Sequence, residues 1–211
     1  MNKSENKAPV NYQKELDRLL ETLSREGRVP RLLLHCCCAP CSSYVLEYLS
    51  PYFEITALFY NPNISPEAEY QKRASELSRL IASLPAPHPI SLRTAPYEPG
   101  QFYEIARGLE HIPEGGERCR RCYRLRLEAA ARAAREGGFD FFTTTLSISP
   151  LKNAARINEI GEELAGIYGV PHLPSDFKKR NGFKRSIELS REYGLYRQNY
   201  CGCVFSRPSG E

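Results

Sequence analysis

Helix-length amphipathic segments alternate with short apolar runs along most of the chain. In the first segment, leucines recur at the three- and four-residue spacing of a helix, Asn11 is in position to cap it, and Gly27 lies near its end. Helices are predicted at residues 11–27, 42–49, 65–84, 102–109, 122–136, 153–168 and 182–193, and strands at 31–35, 54–60, 89–93 and 139–145. Strands separated by helix-length segments favour an α/β fold, with one parallel sheet, right-handed crossovers and helices on both faces.

The composition sets limits on domain organisation and location. With 211 residues, of which 41% are hydrophobic and 26% charged, the chain is long enough for one sizeable core and has no disorder signature. We expect a helical extension at residues 1–30 and a single α/β domain at 31–211. Residues 1–30 contain no apolar signal segment, and the chain has no uncharged apolar run long enough to cross a bilayer, so a cytoplasmic protein is expected.

The cysteines are the candidate chemistry of the chain. All eight fall in three short segments: Cys36, Cys37, Cys38 and Cys41, then Cys119 and Cys122, then Cys201 and Cys203. In a reducing compartment, such clusters indicate metal ligation or catalytic thiols rather than a disulfide framework. The first segment follows a predicted strand, at the edge where open parallel sheets form their sites, and the dipole of the next helix lowers the pKa of a thiol there.

The spacing of the cysteines favours an iron-sulfur cluster over zinc. Structural zinc usually takes two Cys-x-x-Cys knuckles, whereas one half of this site is a contiguous cysteine run followed by Pro40. Adjacent cysteines reach one centre only from an irregular loop, and the larger iron-sulfur cube tolerates widely separated corners better than a single ion does. The first two segments offer six cysteines where four are needed, so spacing alone leaves the ligands unassigned.

Basic residues concentrate in two segments, although the formal net charge is only +4. These segments are residues 118–126, around the second cysteine pair, and residues 178–185, near the last predicted helix. A basic run is most often a solvated helix face, but lysine and arginine also bind a polyanion by releasing its counterions. The position of the first segment around a cysteine pair favours a nucleic-acid partner.

Four separated segments carry a family resemblance: LLLHCCCAPCSS, RCRRCYRLRL, FDFFTTTLSISPLKN and GLYRQNYCGCVFS. Together and in this order they resemble the cobalamin-independent epoxyqueuosine reductase family, QueH, over residues 31–206. The resemblance implies a Rossmann-like sheet akin to that of the adenine-nucleotide hydrolase superfamily, a 4Fe-4S cluster, and reduction of epoxyqueuosine to queuosine in tRNA, the last step of queuosine biosynthesis. The implied partners are the tRNA substrate and an external electron donor, and no membrane is involved.

The resemblance also implies a set of cluster ligands. The family's His-x-Cys-Cys-Ala-Pro pattern falls on residues 35–40, which makes Cys37 and Cys38 the first two ligands, and Cys119 and Cys122 are the other two. Cys36 occupies the variable position of the pattern, so we expect it to pack as a small hydrophobic residue.

Five more residues are candidates for the site. Cys201 and Cys203 match the family's Cys-Gly-Cys, which implies a redox-active catalytic pair. Cys41 is a candidate ligand for an additional iron ion, or it only begins a helix. Asp176 is a candidate acid or metal ligand, or it is only a surface carboxylate or helix cap. His35 can tune a cluster by hydrogen bonding, or it packs as a satisfied core residue.

Hydroxyl side chains follow a later strand of the predicted sheet. Thr143, Thr144, Thr145 and Ser147 stand at the end equivalent to that of the first cysteine segment. They either line the same crevice or cap the helix that follows.

The implied reaction needs two electrons and two protons, because it removes an epoxide oxygen as water and leaves an alkene. A single cluster ordinarily passes one electron at a time. The second electron therefore comes from a repeat reduction, from a neighbouring metal or from the dithiol of Cys201 and Cys203. A metal beside the cluster can also bind the epoxide oxygen as a Lewis acid.

Two other function classes stay open on the residues alone. A tRNA sulfur-transfer enzyme with an iron-sulfur cluster would need a Ser-Gly-Gly-x-Asp-Ser loop for ATP, and the corresponding turn at residues 35–42 contains no glycine. A zinc-stabilised RNA-binding module would use the cysteines only to hold the fold.

Overall fold

Four strands and seven α-helices make up residues 10–207, the part of the chain that this computed structural model describes. In chain order they are α1 Tyr12–Glu26, β1 Arg31–His35, α2 Ala39–Leu49, β2 Glu54–Phe59, α3 Glu67–Ser83, β3 Ile90–Thr94, α4 Pro99–Ala106, α5 Glu117–Gly137, β4 Phe141–Thr144, α6 Ala154–Tyr168 and α7 Gly182–Glu192. Within this range no helix has the length and apolar character needed to span a membrane.

The strands form one parallel sheet in the order β3-β2-β1-β4. Leu32 of β1 lies beside Ile55 of β2 on one side and Phe141 of β4 on the other. The direction of winding reverses between β1 and β4, and the carboxyl ends of these two strands are where an open α/β sheet forms its binding crevice. The predicted α/β fold with one parallel sheet is confirmed, and the likeness to the adenine-nucleotide hydrolase superfamily stays a prediction.

Helices cover both faces of the sheet, as the alternation of side chains along β1 requires. Leu32 and Leu34 pack with α1, α2 and α3 on one face, whereas Leu33 packs with α5 and α6 on the other. All three leucines are fully buried. Burying such a side chain stabilises the fold by about 1.5–3 kcal/mol. Because both faces of β1 are covered, the successive central residues of the strand are all apolar rather than alternating with polar ones.

The N-terminal helix ends where the residue pattern predicts. The side-chain oxygen of Asn11 accepts a hydrogen bond from the backbone N–H of Lys14, and Gly27 closes the helix at φ 62°. Leu16 and Leu20 of α1 are buried in the same core as β1. The division between an extension at residues 1–30 and a domain at 31–211 stays a prediction.

Three helices begin at least three residues earlier than the sequence predicts, and two of them carry cysteines; the third is α4, which starts at Pro99 rather than at residue 102. Helix α2 starts at Ala39 rather than near Ser42, because Pro40 is compatible with a first turn and the Ser42 hydroxyl bonds back to the Cys38 carbonyl at 2.8 Å instead of capping. Helix α5 starts at Glu117 rather than at Cys122. Both helix N-termini therefore present cysteines in their first turns.

Candidate metal and redox centre

Three thiols meet where β1 leads into α2. The Sγ atoms of Cys37, Cys38 and Cys41 all lie within 4.8 Å of one another, and those of Cys37 and Cys38 are 3.9 Å apart. Cys38 is the N-cap of α2 and Cys41 lies in its first turn, so the helix start turns both side chains toward the preceding loop. Three sulfurs at this spacing can hold one metal ion or one corner region of a cluster.

The environment of this trio favours a thiolate at Cys37. Hydrogen bonds from the thiols of Cys38 and Cys41 hold the pKa of Cys37 well below its usual range, and the positive charge of Lys152 acts in the same direction. The Thr145 hydroxyl also donates to the Cys37 sulfur at 3.5 Å. The pKa of Cys38 rises to about 12, chiefly because its thiol donates to Cys37. Cys37 is therefore the sulfur of this trio that loses its proton most readily.

Four further cysteines line a second, narrow cavity. Cys119 and Cys122 come from the first turns of α5, and Cys201 and Cys203 come from the C-terminal segment. Burial raises the pKa of Cys122 to about 12, and burial also raises the pKa of Cys119. All eight cysteines lie in the described part of the chain and are free thiols there.

The two cavities that the thiols line adjoin each other and share lining residues. Cys201 and Arg126 line both the cavity beside the Cys37 trio and the cavity beside Cys122. In residues 10–207 only Cys37, Cys38 and Cys41 come within 4.8 Å of one another as a group of three or more possible ligands. The ligand set implied by the resemblance takes two members from each cavity, and it stays a prediction.

The C-terminal segment that carries Cys201 and Cys203 is fastened to α3. The backbone N–H of Ser65 donates to the Gly202 carbonyl at 3.0 Å, and Arg73 Nη1 donates to the Cys201 carbonyl at 3.1 Å. Arg73 is itself buried and paired with Glu69 through a 2.7 Å contact. Sequence reasoning missed Arg73 and Glu69, although their spacing of four residues on one helix is that of an ion pair.

Residues 32–209 match the family described as Epoxyqueuosine reductase QueH. The chain belongs to this family. Epoxyqueuosine reductase QueH of Staphylococcus epidermidis is 45% identical over 201 residues, which cover 93% of this chain and 84% of the relative. The Streptococcus pyogenes protein of the same name is 43% identical over 93% of this chain and 78% of its own, and the Thermotoga maritima protein is 37% identical over 83% and 89%.

The donor set of this QueH family member fits a thiolate-bound metal group. Thiols from three chain segments face two adjoining cavities, and the cationic side chains of Arg126 and Lys152 line the cavity beside the Cys37 trio. Thiolate ligands select soft metals and iron-sulfur clusters, and nearby positive charge offsets the negative charge that such ligands bring. A metal cofactor at this site is consistent with both the family and the geometry.

Cys36 lies apart from the other thiols of its segment. Its side chain is fully buried in the core, and its S–H points to the Leu34 carbonyl at 3.5 Å. Burial raises the pKa of Cys36 well above the usual range. The structure therefore places this cysteine as a packing residue.

His35 ends β1 as a satisfied, neutral histidine. Its Nδ1 and the Thr144 hydroxyl are 2.8 Å apart, and its Nε2 lies 3.0 Å from the Tyr60 carbonyl. Because a carbonyl only accepts, Nε2 carries the proton and Thr144 donates to Nδ1. Burial, followed by the positive charge of Arg126, lowers the pKa of His35 to about 4. Both ring nitrogens are engaged away from the sulfurs, so His35 holds β1 and β4 in register at the site.

The hydroxyls that follow β4 divide between the site and the scaffold. Thr145 contacts Cys37, both through its own O–H and by accepting the Cys37 backbone N–H at 3.3 Å. The Thr143 hydroxyl donates to the Leu173 carbonyl at 2.9 Å, and the hydroxyls of Ser147 and Ser175 share a 3.1 Å contact. Only Thr145 of this set touches a candidate ligand.

Asp176 lies away from the thiols. Its carboxylate pairs with Lys178 Nζ at 2.6 Å, and Asp176 lines neither of the two cysteine cavities. Asp176 is thus a largely buried, ion-paired carboxylate, 15% exposed, and its role as an acid or metal ligand stays a prediction.

The basic segment around the second cysteine pair is not one continuous phosphate-binding face. Arg118 and Arg126 are 2% and 1% exposed, so these two arginines do not belong to a surface that could contact a nucleic-acid backbone, and contact by the rest of the segment stays a prediction. Arg124 pairs with Glu163 at 2.7 Å, and Arg121 lies 3.5 Å from Glu117. The cationic groups of this helix that remain at the surface are fewer than its sequence indicates.

The second basic segment is also largely paired. Its ion pairs are Lys178 with Asp176, Arg180 with Asp17, and Arg185 with Glu47, Glu188 and Glu192. Acidic partners from α1 and α2 thus tie this segment to the fold. Because these carboxylates neutralise part of its positive charge, this segment attracts a polyanion less strongly than its sequence suggests.

Proposed function

We propose that this chain is an epoxyqueuosine reductase, which removes the epoxide oxygen of epoxyqueuosine in tRNA and leaves queuosine. The observation that carries the proposal is the convergence of thiols from three remote chain segments on two adjoining cavities at one edge of the sheet. Family membership supports it, because relatives that match most of the chain are named for this activity.

We assign Cys37, Cys38, Cys119 and Cys122 to a 4Fe-4S cluster, which supplies electrons one at a time when it is bound. Two of these thiols face each of the adjoining cavities, and a cube has corners far enough apart to reach both. Cys41, whose sulfur lies within 4.8 Å of those of Cys37 and Cys38, is left over as the candidate ligand of an additional iron ion.

Cys201 and Cys203 are the proposed catalytic dithiol. Oxidation of two thiols to one disulfide releases two electrons and two protons, and conversion of an epoxide to an alkene and water consumes the same number of each. Cys201 lines both cavities, which supports a role for it next to the proposed ligands. Gly202 supplies the backbone freedom that so small a disulfide ring needs, and an external electron donor then reduces the disulfide.

The tRNA partner would meet the protein at the mouth of the cavity beside Cys37. Leu151, which is 70% exposed, and the segment at residues 197–201 border that cavity. Arg120 and Arg121 are the two residues before the proposed ligand Cys122 on α5. Both are exposed, so their guanidinium groups can contact phosphates. Affinity for the backbone would then accompany recognition of the modified base within the cavity.

Anaerobic incubation with a reductant and tRNA carrying the epoxide, followed by nucleoside mass analysis, tests the reaction. We expect queuosine from the loaded wild-type protein and none from the double variant Cys201→Ser/Cys203→Ser under multiple turnover. Loaded protein that leaves epoxyqueuosine unchanged would overturn the proposal. A colourless protein with stoichiometric zinc and no sulfide would instead identify a zinc-stabilised RNA-binding module.

A further inference from the structure

A buried guanidinium stands between the two groups of thiols without a carboxylate partner. Arg126 is 1% exposed and lines both cysteine cavities. Its Nε donates to the Cys122 carbonyl at 3.1 Å, and the ring of Tyr123 lies 5.9 Å from its guanidinium carbon. Within residues 10–207 none of the ion pairs includes Arg126, so no carboxylate lies within 4.0 Å of its guanidinium.

The buried acidic groups around Arg126 are cysteine thiols, whereas Glu114, which also lines both cavities, is exposed and forms no ion pair with it. Cys122, Cys201 and Cys37 each interact favourably with its charge and together outweigh burial, which would by itself lower the pKa of Arg126. His35, on the facing strand, is neutral. An isolated buried cation is costly, so a fold that keeps one at this position needs an anion there in its working form.

We propose that Arg126 is the counter-cation of the metal-thiolate group, and that it strengthens binding of that group and raises its reduction potential. This inference rests on the metal cofactor in the proposed function. A thiolate-bound cluster is anionic and gains a further negative charge on reduction. A fixed positive charge in a buried, weakly screened site stabilises the reduced state more than the oxidised state, and the potential rises accordingly.

Two other cations of the site contrast with Arg126. Lys152 lines the same cavity and its charge also interacts favourably with Cys201, Cys37 and Cys41, but it is partly exposed and lines only one of the two cavities. Arg118 is as buried as Arg126, yet its Nη1 donates to the carbonyls of Leu109, Glu110 and Ile112. Arg118 therefore anchors a loop, and it is the matched control for the loss of a buried arginine.

The experiment measures the full-length variants Arg126→Met, Arg126→Lys and Arg118→Met, with and without reconstituted iron and sulfide. We expect Arg126→Met to shift the midpoint potential of the cluster to more negative values, with Arg126→Lys close to the wild type. We also expect Arg126→Met to lower the Tm of the loaded protein but not that of the metal-free protein, since the unpaired charge is gone. Arg118→Met should lower the Tm of both forms, and it should shift the potential by less than Arg126→Met does, because Arg118 lines only the cavity beside Cys122 and its guanidinium is bound by three carbonyls.

An unchanged midpoint potential in Arg126→Met would overturn the role of Arg126. So would an equal fall in Tm with and without cluster, which would make Arg126 a packing residue. If Arg126→Met does not fold, Arg126→Gln removes the charge while keeping an N–H donor, and the same two criteria apply to it. Failure of the wild-type protein to bind iron and sulfide would overturn the cofactor assignment itself, whereas loaded wild type with an unshifted variant overturns only this inference.

Discussion

Arg73 on α3 donates a 3.1 Å hydrogen bond to the carbonyl of Cys201, which lies 128 residues further along the chain. This contact, together with the bond from Ser65 to Gly202, sets the C-terminal Cys-Gly-Cys segment against the cavity that contains Cys37. The position of the proposed dithiol is therefore decided by a helix that carries no cysteine.

Gly202→Ala should lower kcat strongly while lowering the free energy of unfolding only modestly. Gly202 has φ +111°, and an added Cβ would lie 2.8 Å from Arg73 Nη1 and 3.1 Å from Ile64 Cγ1, so the segment must move. We expect a cost of about 1–3 kcal/mol in the free energy of unfolding from the strained backbone. A displacement of about 1 Å at a reacting group lowers kcat by up to about 100-fold.

The matched control is Gly194→Ala, where φ is +56° and no atom lies within 4 Å of the added Cβ. It should cost about 1–2 kcal/mol in unfolding free energy and keep its turnover. Thermal melts and steady-state rates are measured for both variants. Equal rates would mean that Gly202 serves only the backbone conformation and does not position the Cys-Gly-Cys segment for the reaction.

Serine at Cys37, Cys38, Cys119 or Cys122 should lower bound iron and sulfide together, because each thiolate holds one corner of the proposed cluster. Cys41→Ser should lower only the additional iron. Metal and sulfide analysis of anaerobic protein provides the measurement. Cys36→Ala is the control, since its buried side chain contacts the Leu34 carbonyl, and it should keep full cluster content. Two ligand variants with wild-type cluster content would contradict the assignment.

Cys201→Ser and Cys203→Ser should each keep the cluster and lose multiple turnover, because neither variant can cycle between dithiol and disulfide. Strain in a ring closed across one glycine should also make the disulfide easy to reduce. Single-turnover and steady-state assays on cluster-loaded variants separate the outcomes. Full steady-state activity in both variants would remove the redox role, and loss of the cluster would make the two residues ligands.

Binding of tRNA should weaken with salt, and Arg120→Glu/Arg121→Glu should weaken it further. Each phosphate contact that is lost reduces the slope of log K against log salt concentration by about 1. The matched control is Arg25→Glu, an exposed arginine in the last turn of α1. Affinity that does not depend on ionic strength, or that falls equally in the control, would place the tRNA contact elsewhere.

Local chemistry made several features readable from the sequence. The leucine spacing of α1, its Asn11 cap and the Gly27 end, and the apolar run of β1 all depend on neighbours a few residues away, and each is where the pattern predicts it. The early starts of α2 and α5 were missed because cysteine and glycine are weak signals for a helix N-terminus, and because Ser42 resembles a cap. The cysteine segments indicated a metal site, whereas the reaction was implied only by the resemblance to a family.

Only the tertiary structure decided which of those groups meet. The order β3-β2-β1-β4 brings Thr145 to Cys37 across 108 residues, and the packing of α5 buries Arg118 and Arg126, which sequence reasoning had assigned to the surface. Contacts of this kind depend on strand order and on helix rotation. Neither is encoded in a short-range pattern, because burial of an arginine is decided by what packs over it and not by its neighbours along the chain.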